Sequence, residues 1–243
     1  MSIVLITGAN RGIALGLAKL YAARDNTTVI GTARNLSKAT ELASAPSGKN
    51  SKVIVVQYEA GTRTAGKDLV SQLTASGIDH IDILVASGGT GDHWGPVLTT
   101  PADTAEEFFT INSLGNLILF QAAYPLLEKS QKPQFVFISS SIASTGDMEK
   151  VPFLGTAYGA SKAWTNHLVK RVHVEHPNLI SYAIHPGWVQ TDMGNSAGAA
   201  HGIGNASITV DESVSSLTKQ IDGATRDETS GKLINYDGST WSW

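Results

Sequence analysis

Not one of the 243 residues is cysteine, so the chain forms no disulfide, offers no thiolate to a metal and has no cysteine nucleophile. Charge is also sparse. Eighteen Lys and Arg stand against 21 Asp and Glu, and a formal net charge of −3 points away from nucleic acid and from an anionic membrane surface. No apolar run approaches the roughly 18 residues of a membrane span. The opening Met1-Ser2-Ile3-Val4-Leu5-Ile6 lacks a basic leader and a cleavage signature. It reads as a short buried strand rather than a secretory signal, and a cytoplasmic protein is the expectation. The seven histidines show no zinc-site spacing. His167, His173 and His176 fall on or near one helix as packing or surface residues, so no metal site is expected.

What is present suits a single large domain over residues 1–243: hydrophobic residues make up 42%, enough for a sizeable core. Short, continuously apolar runs mark strands at Ile3–Thr7, Thr28–Ala33, Lys52–Tyr58, Ile81–Ala86, Gln134–Ser139, Leu179–His185 and Lys232–Tyr236. Continuous rather than alternating apolarity is the mark of a parallel sheet covered on both faces. Helical patterns lie between them at Gly12–Arg24, Leu36–Ser44, Arg63–Ser76, Pro101–Lys129 with an interruption near Asn112, Tyr158–Glu175 and Val210–Asp222. The alternation predicts an α/β, single-domain Rossmann fold: a doubly wound, seven-stranded parallel sheet with helices on both faces. Gly88–Pro96 and Gly194–Ala206 read as mobile stretches beyond the carboxyl ends of strands, where ligands bind in such sheets. A substrate loop is expected over about residues 192–210, either disordered or closing as a lid.

The chemistry concentrates in Tyr158-Gly159-Ala160-Ser161-Lys162. Residues four apart share a helix face, and an ammonium that close favours the phenolate. A tyrosine whose pKa is drawn down in this way exchanges protons with a substrate hydroxyl or carbonyl. At the other end of the chain, Thr7-Gly8-Ala9-Asn10-Arg11-Gly12-Ile13 joins the first strand to the first helix. Gly8 permits a tight turn and Gly12 lets backbone amides approach a pyrophosphate at the helix N-terminus. The second strand ends in Gly31-Thr32-Ala33-Arg34, with no acid there to take a ribose 2′-hydroxyl. Arg34 and Arg11 together suit a 2′-phosphate, and the expected cofactor is NADP(H).

With these pieces in order, the chain resembles the short-chain dehydrogenase/reductase family over essentially its whole length. The likeness rests on Thr7-Gly8-xxx-Gly12-Ile13, Asn112 within Ile111-Asn112-Ser113-Leu114-Gly115, Ile138-Ser139-Ser140, Tyr158-xxx-Lys162 and Pro186-Gly187-Trp188-Val189-Gln190-Thr191. Phe137–Ser141 and Ile184–Met193 resemble the fungal ketoreductase branch that includes norsolorinic acid ketoreductase-like enzymes. The resemblance implies Tyr158 as general acid/base and Lys162 as holder of the nicotinamide ribose. It implies Ser140 as the hydrogen bonder to the substrate oxygen, with Ser139 and Ser141 one register step away. Asn112 would hold a water in a proton relay. Glu59 and Ala60 would lie near the adenine, Ser87 and Gly88 beside the glycine turn, and Pro186, Gly187, Val189 and Thr191 around the nicotinamide carboxamide. Asn10 and Ile13 complete the phosphate turn. The family is commonly dimeric or tetrameric, built through helices at roughly 101–130 and 156–176.

Two departures stand out. The family's third glycine is Ala14, which bears on cofactor affinity, and its Asn-Asn-Ala-Gly reads Ala86-Ser87-Gly88-Gly89, where Ser87 replaces only part of the asparagine's hydrogen bonding. Trp94, Met148, Phe153, Trp188 and Met193 are expected to line a pocket for an apolar or bulky ketone or aldehyde. Asp147, Glu149 and Lys150 read as solvated loop charges. Trp241 and Trp243 are expected to pack on the body, cap a pocket or enter a subunit contact. The function expected is NADPH-dependent reduction of a small-molecule carbonyl. A cofactor-sensing regulator without turnover is the alternative, and an epimerase or dehydratase of nucleotide sugars is a third reading.

Overall fold

Branched and aromatic side chains fill the strand segments on both faces, and such strands are stable only when both faces are covered. In the computed structural model, which describes residues 1–243, they do so as β1 (Ser2–Ile6), β2 (Thr27–Ala33), β3 (Lys52–Gln57), β4 (Ile83–Ala86), β5 (Gln134–Ile138), β6 (Ile180–His185), β7 (Leu233–Asn235) and β8 (Thr240–Trp241). The helices are α1 (Gly12–Ala22), the single turn α2 (Thr40–Ala43), α3 (Ala65–Ala75), α4 (Ala102–Phe108), α5 (Gly115–Leu127), α6 (Thr156–Glu175), α7 (Asp192–His201) and α8 (Val210–Asp222). Strand order is β3-β2-β1-β4-β5-β6-β7-β8, parallel except that β8 runs antiparallel to β7. The sheet therefore has eight strands where seven were expected. The extra strand is two residues long, and its turn holds Gly238 at φ +90°, a conformation open to glycine.

Alternation along the central strands sorts the core into two layers. Ile3, Leu5, Leu84, Phe135 and Phe137 face α3, α5 and α6, while Val4, Ile6, Val85, Val136 and Ile138 face α1 and α8. Each fully buried side chain of this size stabilises the fold by roughly 1.5–3 kcal/mol.

The helical pattern expected over 101–129 breaks into α4, a π-helical turn at Phe109–Leu114, and α5. The widened turn leaves the Asn112 carbonyl to side-chain donors: Asn116 Nδ2 at 2.6 Å and Thr165 Oγ1 at 2.8 Å. Most of the stretch read as mobile, 194–206, is ordered into α7. Thr191 caps that helix by accepting the Gly194 amide at 3.1 Å. Its glycines serve close packing: a Cβ at Gly194 would lie 2.0 Å from the Val189 carbonyl oxygen, and one at Gly198 would lie 1.9 Å from that of Gly204.

Candidate active site

β2 lies on one side of β1 and β4 on the other, so the chain direction switches there and a crevice opens beyond the carboxyl ends of β1 and β4. Thr7 ties the two ends together, its Oγ1 accepting the Ser87 and Gly88 amides at 3.0 Å each. Gly8, at φ +68°, passes so close to Gly88 that a Cβ on it would meet the Gly88 Cα at 3.0 Å. Gly12, at φ +57°, then opens α1.

The N-terminus of α1 differs from those of α7 and α8. Arg11 at the cap makes no side-chain bond to it and no acid occupies its first turn. Thr191 caps α7, and Thr209 with Glu212 forms a reciprocal capping box on α8. The first amides of α1 are thus left for an anion, and the positive end of the helix dipole favours one. These residues fit a dinucleotide pyrophosphate. Asn10 and Ile13 are half-buried beside the turn. Ala14, at the departure from the family pattern, is 4% exposed and packs into the core layer under α1, so its methyl adds to the core.

Arg34 and Glu59 stand exposed at the ends of β2 and β3, with half-buried Ala60 following. Across the crevice, Gly187 sits at φ +86° and the Pro186 carbonyl accepts from Ser213 Oγ at 2.7 Å. Buried Val189 leads to Thr191, and a Cβ on Gly12 would lie 3.4 Å from Thr191 Cγ2. The glycine turn and the Pro186–Thr191 segment therefore face one another. A wide ion pair between Arg11 and Asp192, 3.6 Å apart, spans the same gap, with both side chains largely exposed.

Beyond β4 the chemistry changes character. Tyr158 and Lys162 are 7% and 4% exposed on α6. Lys162 Nζ donates to the Ile138 carbonyl at 2.9 Å, lies 4.6 Å over the Phe137 ring and stands 5.7 Å from the centre of the Tyr158 ring. Burial draws the Lys162 ammonium down to about 7, and burial pushes the Tyr158 phenol well above its usual value. Loss of solvent around the phenol thus moves the tyrosine in the direction opposite to that expected from its lysine.

Asn112 is fully buried between Thr90 and α6. Its Oδ1 accepts the Thr90 amide at 2.8 Å, and its Nδ2 donates to the Thr90 carbonyl at 2.8 Å and to Ser161 Oγ at 3.0 Å. Its side chain fastens the 90-loop to α6, and its carbonyl accepts the two side-chain donors named above.

Three serines end β5. Ser139 Oγ donates to Asn166 Oδ1 at 2.6 Å, and Ser140 Oγ accepts the Ile142 amide at 3.3 Å as the cap of a short turn. Ser140 is extended, and Ser141 opens the short turn that follows it.

The pocket is aromatic. Trp94 stacks on Tyr158 with ring centres 5.5 Å apart, and Phe153 meets Trp188 edge-on at 5.2 Å. Gly91 lies between Tyr158 and Met193, where a Cβ would stand 2.8 Å from the ring and 3.2 Å from the sulfur. Met148 is not brought to this cluster: it is 57% exposed on the outer turn Met148–Lys150. His201, absent from the expected set, closes the cluster from α7. Its ring packs edge-on to Phe153 at 5.4 Å, and its Nε2 accepts the Leu154 amide at 2.7 Å. Nothing in the sequence near His201 marks it, since only the folding of α7 carries it to Phe153.

Asp147, read as a solvated charge, is instead a bonded one. It takes Lys150 Nζ and the Ser242 amide at 2.7 Å each, which hold its carboxyl down at about 2. Trp241 and Trp243 both pack on the body.

The model of the family described as short chain dehydrogenase matches residues 2–207. The chain belongs to the short chain dehydrogenase family. Among curated proteins, this dehydrogenase is 40% identical to a norsolorinic acid ketoreductase of Dothistroma septosporum over 98% of its own length and 91% of the relative's. It is 35% identical to one of Emericella nidulans, covering 100% and 94%. Among solved structures, the NADPH-bound carbonyl reductase from chicken fatty liver superposes with a TM-score of 0.86 at 26% identity, with both chains fully covered. No helix of this dehydrogenase is long and apolar enough to cross a membrane.

Proposed function

We propose that this short chain dehydrogenase is an NADPH-dependent carbonyl reductase that converts an apolar, aromatic-flanked ketone or aldehyde to its alcohol. The observation that carries the reading is the buried Tyr158–Lys162 pair at the foot of an aromatic pocket. The ketoreductase and carbonyl reductase relatives support it. NADPH, when bound, supplies the hydride. Its pyrophosphate would lie against Gly8, Gly12 and the uncapped amides of α1, with Asn10 and Ile13 beside it. Arg34 and Arg11 would take the 2′-phosphate, since neither has a strong partner within the protein. Glu59, Ala60, Ser87 and Gly88 would border the adenosine, and Pro186, Gly187, Val189 and Thr191 the carboxamide.

The protein's own part is proton delivery and alignment. At neutral pH the buried Tyr158 is protonated, which is the form needed to give a proton to the alkoxide as it develops. Lys162 would bind the ribose and add positive charge close to the phenol. Of the three serines, Ser139 donates its hydroxyl to Asn166, whereas Ser140 only accepts from the Ile142 amide and keeps its O–H free to donate. Ser140 would therefore make the bond to the substrate oxygen. Trp94, Phe153, Trp188, Met193 and His201 would exclude water and hold the substrate body.

The test is NADPH consumption against a panel of aldehydes, aryl ketones and quinones, with Tyr158→Phe as the blank. Turnover lost in the variant, with NADPH binding retained, supports the reading. Tight NADPH binding with no turnover of any panel member by the wild type would favour a cofactor sensor.

A further inference from the structure

We propose that Thr240–Trp243 acts as a positioning strap for the serine turn of the active site, and that Ser144 is the residue through which it acts. The proposal rests on the carbonyl reductase reading above.

β8 is separated from β5 by β6 and β7, so covering the sheet edge requires no contact with anything that follows β5. The strap makes such contacts nonetheless. Ser144, fully buried three residues beyond Ser141, donates from Oγ to the Ser242 carbonyl at 2.6 Å and accepts the Asp147 amide at 3.1 Å. The Gly146 amide donates to the Trp243 carbonyl at 2.9 Å, and the Ser242 amide donates to Asp147 Oδ2 at 2.7 Å. The two segments are close enough that a Cβ on Gly146 would lie 2.8 Å from the Ser242 Cβ.

The strap is itself fixed on its far side. Trp241 pairs opposite Leu233 and meets His185, the residue before Pro186, edge-on with ring centres 6.2 Å apart. Trp243 Nε1 donates to the Gly231 carbonyl at 3.2 Å, and Lys170 Nζ of α6 lies 5.8 Å from the Trp243 ring. The serine turn is then held from two directions. On one side Asn166 of α6 accepts from Ser139 and donates to the Ala143 carbonyl at 3.4 Å. On the other, the strap grips Ser144. Ser140, the serine with a free O–H, lies between these anchors. A hydroxyl that must meet a developing alkoxide tolerates little drift, because a misplacement of about 1 Å lowers rate by about 10²-fold.

The experiment compares wild type, Ser144→Ala, a truncation lacking Ser242 and Trp243, and the combination. Each is assayed for carbonyl reduction, NADPH affinity, thermal midpoint and the primary isotope effect with deuterated NADPH. Wild-type turnover is measured first, since its absence overturns the parent reading and not this one. Ser144→Ala is expected to lower kcat about tenfold, raise the isotope effect and leave NADPH affinity within about twofold. If Ser144 acts through the strap, the combined variant is no slower than the truncation alone. Wild-type kcat in Ser144→Ala overturns the proposal, as do strictly additive losses or an equal loss of NADPH affinity. Should the truncation fail to fold, kcat and the isotope effect of Ser144→Ala decide the matter alone.

Discussion

The crevice that faces the cofactor and the group that faces the substrate are built by opposite means. At Gly8–Gly12, Arg34 and Glu59 the protein offers backbone amides, helix dipole and exposed side chains, with few bonds made in advance. At Asn112, Ser139, Tyr158, Lys162, Thr165 and Asn166 it offers buried polar side chains, most of them bonded to one another or to backbone. A buried ammonium is costly, and one retained in a core beside a tyrosine marks chemistry rather than stability. The difference teaches where tolerance lies. The crevice absorbs Ala14 and Ser87 in place of the family's residues, whereas Asn112, Ser139 and Lys162 are each bonded to neighbours.

Substitution should separate the two regions. Tyr158→Phe is expected to lower kcat/KM by about 10³-fold while NADPH affinity, read by fluorescence titration, stays within about twofold. Equal loss of both would erase the distinction. Asn112→Ala leaves the Thr90 amide and carbonyl without their partners and removes one of the two bonds of Ser161 Oγ, and urea unfolding should show a loss of roughly 2–4 kcal/mol. Less than 1 kcal/mol would mean that the bracing is nominal.

The charge of Lys162 gives a pH test. Its folded pKa, about 7, lies below the 10.5 of the free side chain, so between those values the unfolded chain binds the extra proton. Stability should therefore rise as pH climbs from about 7 towards 10, by roughly 3–4 kcal/mol relative to Lys162→Met. Parallel curves for the two proteins would contradict the burial argument. On the crevice side effects should be smaller. Arg34→Asp is expected to shift the NADPH-to-NADH ratio of kcat/KM by about tenfold, and Arg11→Ala by about twofold at low salt. A larger effect from Arg11 than from Arg34 would reverse their roles.

Much of this was legible in the sequence because it depends on local pattern. Continuous apolar strands gave the parallel sheet, and Gly8-xxx-Gly12 after a strand gave the crevice. The spacing of Tyr158 and Lys162 put both on one helix, where the structure buries them together. What escaped depends on tertiary context. The pKa of Tyr158 turned on burial, which spacing does not report. That Ser139 gives its hydroxyl to Asn166 while Ser140 only accepts was likewise invisible in the run of three serines. The glycines of α7 resemble those of a flexible loop, and only the close approach of Val189 and Gly204 explains them. Met148 failed as a pocket residue because its turn points outward, while His201 arrived from a helix that the pattern had not revealed. Thr240–Trp243 was too short to read as a strand.

The bond from Ser144 to Ser242 joins residues 98 positions apart. The strap reaches Ser144 from the short β7–β8 ladder, whose last pair is Leu233 and Trp241, so the contact depends on the weakest edge of the sheet and is expected to open locally before the sheet does. Carbonyl reduction that fades on heating ahead of the far-ultraviolet circular dichroism signal would show this, and coincident curves would refute it.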